Sequence, residues 1–443
     1  MPALIGPLDC QAGRYALDKS HGGCHCGRTG KESFMALELR WVGYEDLDRV
    51  ALTRLRCFGS GEGELDRFRE LVRSDRRQQD GDFLLAEEDG QAVGTATSLS
   101  MTMWMRGAPL ACQGVAWVGA VRTHRRRSAS NQPGVASTVM REMLHKARQR
   151  HQVVSALMPF RVSFYQHFGY GVVERLCEWT IPLSILPSGD TTGMRFFRPD
   201  DLPQIQALHQ RIVQRGQCDL ERPPAAWENQ QRNWPGGFVI VDQPPGRPIQ
   251  GWMSLQQVAR DGRQCAQVTE IDFETTEALR RLLAFLAGLK DQCSLATLVL
   301  PADLPIHRLL GEPQIAHRPI EHPAPQVRPC TRMQLRVLDH RHLLQAMHYP
   351  PEAVGLIAVA VHETEGHISR FAIDIADGQA QVRPTEASPQ VSCSDRTWAA
   401  IVSGDLRAST AAALDLIEVA DPQALPVLDA FAAGPVPFCR EPF

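Results

Sequence analysis

From Leu37 onward, apolar and polar positions form short alternating runs separated by stretches of helical period, and their order predicts a mixed α/β chain. A short strand and a helix through about Arg73 come first. The alternating segments "DFLLAEEDG" and "QAVGTATSLSM" follow, with Asp89-Gly90 between them as a hairpin turn. "GVAWVGAV" is an apolar strand that runs straight into a basic loop. Between Gly134 and Arg150 the apolar residues Val135, Ala136, Val139, Met140, Met143, Leu144 and Ala147 recur at three and four, which is a helix with one buried face. "VVSALMP" is another buried strand, and "SFYQHFGYGVVERLCEWTIPL" a short helix and a final strand. This first domain spans 35–187.

After "PSGDTTG" the order repeats: strand "MRFFRP", helix "DLPQIQALHQRIVQR", a hairpin around "FVIVDQPPGRPIQGWMSL", strand "QVTEIDFE", helix "TTEALRRLLAFLAGLKD" and strand "LATLVLP". A second domain over 188–325 is a copy of the first. Where the first copy has its basic loop, the second reads Glu274-Thr275-Thr276-Glu277. Thr275 or Thr276 can cap the helix, but acidic flanks without a glycine turn repel phosphate. The copy is expected to hold no cofactor. Over 326–443 the pattern changes to an α+β domain, with strands "GLIAVAVHE" and "RFAIDIADGQAQVRP", a turn at Asp377-Gly378, and helices capped by Ser394 or Asp395 and by Asp421. The last residues, "PVPFCREPF", are apolar enough to dock rather than fray.

Residues 1–34 show no sustained periodicity, and we expect a disordered extension there, with the folded part beginning near Met35 and the earlier stretch a start-codon misassignment. The cluster His21, Cys24, His25, Cys26 lacks the two spaced ligand pairs of a closed zinc site, so no metal is expected.

At 443 residues the chain is long enough for about three domains. A formal net charge of -3 with dispersed basic residues gives no electrostatic footprint for nucleic acid. The 12 cysteines are scattered and read as small buried hydrophobes of a reducing compartment. No apolar run approaches the roughly 18 residues of a membrane helix, and the first residues lack a signal-peptide pattern. We expect a cytoplasmic protein.

A strand feeding a turn and then a helix start directs unpaired backbone N–H groups and the positive end of the helix dipole at one point, which suits a pyrophosphate. Arg125, Arg126 and Arg127 add charge-assisted donors there, and Gly134 permits close backbone approach. A solvated basic turn capping a surface helix is the other reading of the same residues.

The basic loop is paired with "FYQHFGYG" at 164–171, and in this the chain resembles the GNAT superfamily of acetyl-CoA-dependent N-acetyltransferases. It is most similar to the enhanced-intracellular-survival (Eis-type) members, which read V-x-V-x-P-x-H-R-R-R-G and then F/I-Y-x-x-F-G-Y-G. Here the first motif stands as "VGAVRTHRRR" from Val118, with Arg122 where proline is usual; Phe164, Tyr165, Phe168, Gly169, Tyr170 and Gly171 match the second. The resemblance covers about Met35 to Phe443. It implies tandem GNAT domains, the second degenerate, followed by a sterol-carrier-protein-like α+β domain, acetyl-CoA as co-substrate, an amine-bearing acceptor and a homo-oligomer, a hexamer in the family. Acetyl transfer from a thioester needs a neutral amine, a stabilised oxyanion and a proton for the thiolate. The resemblance assigns the base to the terminal carboxylate of Phe443, the acid to Tyr165, the acetyl carbonyl to the backbones near Val118 and Ala120, and the pyrophosphate to Arg125, Arg126 and Gly134. From the residues alone, Tyr165 could equally pack a core, and a chain end could lie in solvent.

Ser128 to Pro133 interrupts the family pattern, since "THRRRGVASTVMREM" would fit without a gap. So short an extension costs under about 1 kcal/mol of loop closure, so folding survives it. Pro133 favours a defined re-entry into the helix, with the insert bulging outward. Two rival functions remain: a non-catalytic small-molecule or protein-binding scaffold whose loop no longer admits CoA, and a lipid carrier based on the terminal domain.

Overall fold

The computed structural model describes residues 37–443 except 76, 126–132, 261, 319–320 and 442. The first domain runs β1 (Glu38–Val42), α1 (Leu47–Phe58), α2 (Leu65–Ser74), β2 (Phe83–Glu88), β3 (Gln91–Met105), β4 (Ala108–Ala120), α3 (Val135–Gln149), β5 (Val154–Leu157), α4 (Val162–Gln166) and β6 (Gly171–Val172). The single helix expected through Arg73 is two helices. "GSGEG" at 59–63 breaks it, because three glycines in five residues carry too high an entropic cost for a helix to continue.

Both faces of this sheet are covered, and β2 shows why. Leu84 and Ala86 face α3, with Val139, Met140 and Met143 in one core. Phe83 and Leu85 face α1 and α2, with Val50, Leu55 and Phe68 in another. The Asp89-Gly90 turn has φ of 54° and 73°, the left-handed pair that a two-residue hairpin requires.

The expected end of the first domain near Pro187 meets a different arrangement. β7 (Leu176–Pro182) leaves the first sheet and pairs antiparallel with β13 (Leu295–Pro301) of the second. In return β15 (Gln334–Val337), from beyond the second domain, lies between β5 and β6. The first sheet has the order β1-β2-β3-β4-β5-β15-β6. Its inserted strand is buried throughout, and its polar residues bond to the first domain: Gln334 Nε2 donates to the Tyr170 carbonyl (3.1 Å) and Arg336 to that of Phe168.

The second domain contains β8 (Met194–Phe196), α5 (Leu202–Arg215), β9 (Asp219–Leu220), α6 (Pro224–Asn233), β10 (Phe238–Asp242), β11 (Gly251–Arg260), β12 (Arg263–Phe273), α7 (Thr276–Ala287), β13 and β14 (Gln326–Cys330), with sheet order β14-β7-β13-β12-β11-β10-β8. Of the two candidate caps, Thr275 serves α7: its side chain accepts from Ala278 N–H at 3.1 Å. The third domain has a five-stranded sheet packed with helices, among them α8 (His340–Ala346) and α9 (Asp395–Val402), the latter capped by Ser394. It docks on the first through "FGYG". Gly169 has φ of 78°, and a Cβ on Gly171 would collide with the carbonyl oxygen of Arg396 at the start of α9.

Candidate active site

β4 and β5 run parallel but pair only from Cys112–Val154 to Gly114–Ala156, so β4 continues to Ala120 without β5 beside it. The register with β3 shifts on the same stretch, from Thr97–Ala116 to Thr95–Gly119. Trp117 sits in that irregularity at φ 56°, an uncommon conformation for a large side chain. The splay and the bulge together open a gap in the sheet. Gly119 lets the end of α1 cross it closely, since a Cβ there would strike Phe58 and Cys57.

A cleft of ≈ 780 Å³ occupies the gap. Val115 to Val118 form one wall, Met158, Phe160 and Tyr165 another, and Phe443 at the end of the chain a third. Tyr165 is buried, its ring held edge-on by Phe160 (5.7 Å), Phe164 (5.0 Å) and Tyr170 (6.2 Å). Burial pushes its hydroxyl up to about 12, so it remains protonated at neutral pH. Beneath it, the Tyr170 hydroxyl meets Ser155 Oγ (2.7 Å), which donates to Gln113 Oε1 (2.8 Å), and Gln113 donates to Ser98 Oγ (2.8 Å). This buried network ties β3, β4, β5 and the "FGYG" turn together just before the splay.

The rim comes from elements that the motifs did not flag. Asp75 is held by Arg77, whose Nε (2.8 Å) and Nη2 (2.9 Å) both donate to it. Burial raises the Asp75 carboxyl, but Arg77 and Gln78 outweigh that and leave it lowered. From the second domain, α6 covers this side: Asn229 Nδ2 donates to Asp75 Oδ1 (2.9 Å) and Arg232 to the Ser74 carbonyl (3.0 Å). Phe58 and Phe160 are 41% and 73% exposed, so the mouth presents apolar rings to solvent. Of these residues, only the glycine-rich break before α2 left a mark in the sequence. The others are brought in by tertiary packing.

The expected phosphate-binding residues are placed as follows. Gly134 is the N-cap of α3, exposed, its carbonyl accepting from Ser137 N–H (2.9 Å) and Thr138 N–H (3.0 Å). Arg125 turns back into the protein, donating to the Ala120 carbonyl (3.2 Å) and the Cys57 carbonyl (2.9 Å). Arg122 bonds the Gly59 carbonyl in the same way. The two guanidiniums therefore neutralise the C-terminal end of α1. Val118 lines the cleft, while Ala120 lies at the end of β4 as Arg125's acceptor. Arg126 and the inserted residues up to Gln132 lie outside the described residues, as do His21, Cys24, His25 and Cys26.

Three family matches fall in order along the chain: an acetyltransferase (GNAT) domain over 38–173, a second acetyltransferase (GNAT) domain over 218–337, and a sterol carrier protein domain over 343–440. N-acetyltransferase Eis of Mycobacterium tuberculosis is 27% identical over 364 residues, 78% of this chain and 84% of its own length. The chain is an Eis-type GNAT N-acetyltransferase. Among its relatives, an uncharacterised N-acetyltransferase of Streptomyces coelicolor is 30% identical over 226 residues, 48% of this chain and 50% of its own. The fold of this acetyltransferase is shared by a GCN5-related N-acetyltransferase from Anabaena variabilis (TM-score 0.78, 18% identity, 92% of this chain and 100% of that one). Eis1 from Mycobacterium abscessus shares it too (TM-score 0.74, 19% identity, the same coverage). No helix among the described residues is long and apolar enough to cross a membrane.

Proposed function

We propose that the protein transfers the acetyl group of acetyl-CoA to a primary amine of a small molecule or an accessible lysine. The terminal carboxylate of Phe443 takes the amine proton, and the Tyr165 hydroxyl returns one to the departing thiolate. The observation that carries this reading is the meeting of Tyr165 and Phe443 in one cleft at the β4–β5 splay. The nitrogen attacks the thioester carbon, the carbon–sulfur bond breaks, and the two proton transfers leave an amide and a free thiol. Backbone amides at the end of β4 that β5 leaves uncovered, near Val118 and Ala120, are the donors for the carbonyl oxygen. The fit to the co-substrate rests on the gap itself and on the N-terminus of α3, whose backbone amides after the N-cap Gly134 and positive dipole end suit a pyrophosphate.

The cleft also suggests the acceptor. With Asp75 neutralised by Arg77, its remaining lining charges are Glu70, Arg232 and the chain terminus, while Phe58, Trp117, Phe160 and Phe443 supply apolar rings. This favours an amine on an apolar body over a polycation. We further propose a cytoplasmic homo-oligomer, hexameric as in the family, which light scattering on the purified protein tests.

One observation favours the scaffold reading: Nε and Nη2 of Arg125 are already bonded to protein carbonyls. Calorimetric titration with acetyl-CoA, for the whole chain and for a variant lacking 128–133, decides between the two. Micromolar binding by the whole chain supports the enzyme. Binding by the deletion variant alone means that the insert has closed the site.

A further inference from the structure

The second domain repeats the splay of the first. β12 and β13 pair in parallel only over Cys265–Leu295 to Gln267–Thr297, and β12 continues to Phe273 without β13 beside it. In the first domain the corresponding strand end, where β5 has splayed away, borders a cleft. Here it carries Glu270 and Asp272, and the space is filled by the tail of the chain.

The tail is bonded residue by residue. Val436 N–H donates to Asp303 Oδ2 (3.0 Å), the Pro437 carbonyl accepts from Arg175 N–H (3.2 Å), Phe438 N–H donates to the Gln217 carbonyl (2.9 Å), and Cys439 N–H donates to Glu174 Oε1 (3.1 Å). Arg440 goes deepest. Its N–H donates to Asp219 Oδ1 (2.8 Å), its guanidinium to the other oxygen of Asp219, and its Nε to Asp272 Oδ1 (3.1 Å). Asp272 Oδ2 in turn meets His209 Nδ1 (2.8 Å) and accepts from Trp252 Nε1 (3.1 Å). Glu441 pairs with Arg222, which also pairs with Glu270 and lies 4.3 Å from the Trp227 ring centroid. Asp219 and Asp272 are at most 1% exposed. His209, Glu270 and Asp272 have metal-ligand spacing, but Arg222 and Arg440 supply the positive charge here.

Four carboxylates, two guanidiniums and a histidine buried together do little for net stability compared with an apolar core, but they fix geometry, because each misplaced partner is left charged and dry. Two residues past Glu441 is Phe443, in the catalytic cleft. We infer that the second domain's splayed end is a socket for the chain terminus, in which Asp219, Asp272 and Arg222 are positioning residues that hold the Phe443 carboxylate in the first domain's cleft. This rests on the assignment of that carboxylate as the base. It also gives the second copy a part in the reaction.

The test compares Glu441→Gln, Arg440→Gln and the conservative Arg440→Lys with the wild type. It reads kcat with acetyl-CoA and phenethylamine, the Kd of acetyl-CoA by calorimetry, and hydrogen exchange of residues 436–443. We expect faster exchange in the tail, a kcat lowered about tenfold or more in the glutamine variants, an unmoved acetyl-CoA Kd and substantial recovery in Arg440→Lys, since a small misplacement of a reacting group costs rate rather than affinity. Glu441 is the mildest site; if Arg440→Gln fails to fold, Glu441→Gln and Arg440→Lys still carry the comparison. Unchanged exchange, or fast exchange with wild-type kcat in a protein that loses activity when extended past Phe443, overturns the socket. An extended chain with full activity overturns the base assignment instead.

Discussion

Tyr165 and Phe443 line one cleft, although the first belongs to a five-residue helix of the first domain and the second ends the chain. If they are acid and base, Tyr165→Phe lowers kcat about 100-fold while acetyl-CoA binding stays within twofold of wild type, a loss typical of removing one proton-transfer group. Burial keeps the hydroxyl protonated to about 12, so its own ionisation leaves the rate untouched through pH 10. Equal losses in rate and in cofactor affinity refute the assignment.

Adding two residues after Phe443 moves the carboxylate out of reach and should abolish turnover, while the melting temperature stays the same because residues 436–441 hold the tail on their own. Steady-state kinetics and a thermal melt on the same sample check both halves.

Arg125 offers a separation of roles. Bonded to the Cys57 and Ala120 carbonyls, it closes the end of α1 onto β4, and Arg125→Ala should lower stability by about 1 kcal/mol as a lost helix-end cation and two hydrogen bonds. A raised KM for acetyl-CoA accompanies this if the loop shifts. A raised KM with unchanged stability shows instead that the guanidinium turns out to meet phosphate.

Gly171→Ala places a methyl group against the Arg396 carbonyl, with no flexible side chain to yield. A cost of about 2–3 kcal/mol is expected in denaturant unfolding, as for other overpacked sites. A variant as stable as wild type removes the docking explanation for the motif's last glycine.

Glu270 supplies a pH signature. Burial pushes its carboxyl up, only partly countered by Arg222, and Asp272 and Glu441 push the same way. The native state therefore keeps this proton longer than the unfolded chain does, and stability falls as pH rises from the ordinary glutamate value near 4.3 through the native one. Asp272 behaves oppositely: burial raises it, but His209, Arg440 and Arg222 prevail, so its contribution is full above the unfolded value and lost in acid. Glu270→Gln should gain stability on the wild type across the first window and hold a constant difference above it. A difference that does not change with pH, measured by thermal melts from pH 4 to 8, contradicts this.

Much of the element order was legible because it depends on local period and turn chemistry: the Asp89-Gly90 and Asp377-Gly378 turns both have positive φ at each residue, and Thr275 and Ser394 cap as polar oxygens before apolar helices do. Partner choice was not. Nothing in "LCEWTIP" or "QLRV" says which sheet receives it, since a buried strand needs only an apolar environment and two edges. The bulge at Trp117 left no trace either, as no glycine marks it. The socket's charges are spread from His209 to Glu441, each reading as an ordinary polar residue until the fold brings them together.

The exchange of β7 for β15 has a consequence during synthesis. While the ribosome has yet to deliver residues 334–337, β5 has an open edge and the acetyltransferase sheet is incomplete. The first domain must wait, with a strand edge exposed, until just over three quarters of the polypeptide has emerged, and through that interval the open edge of β5 is a template for wrong pairing.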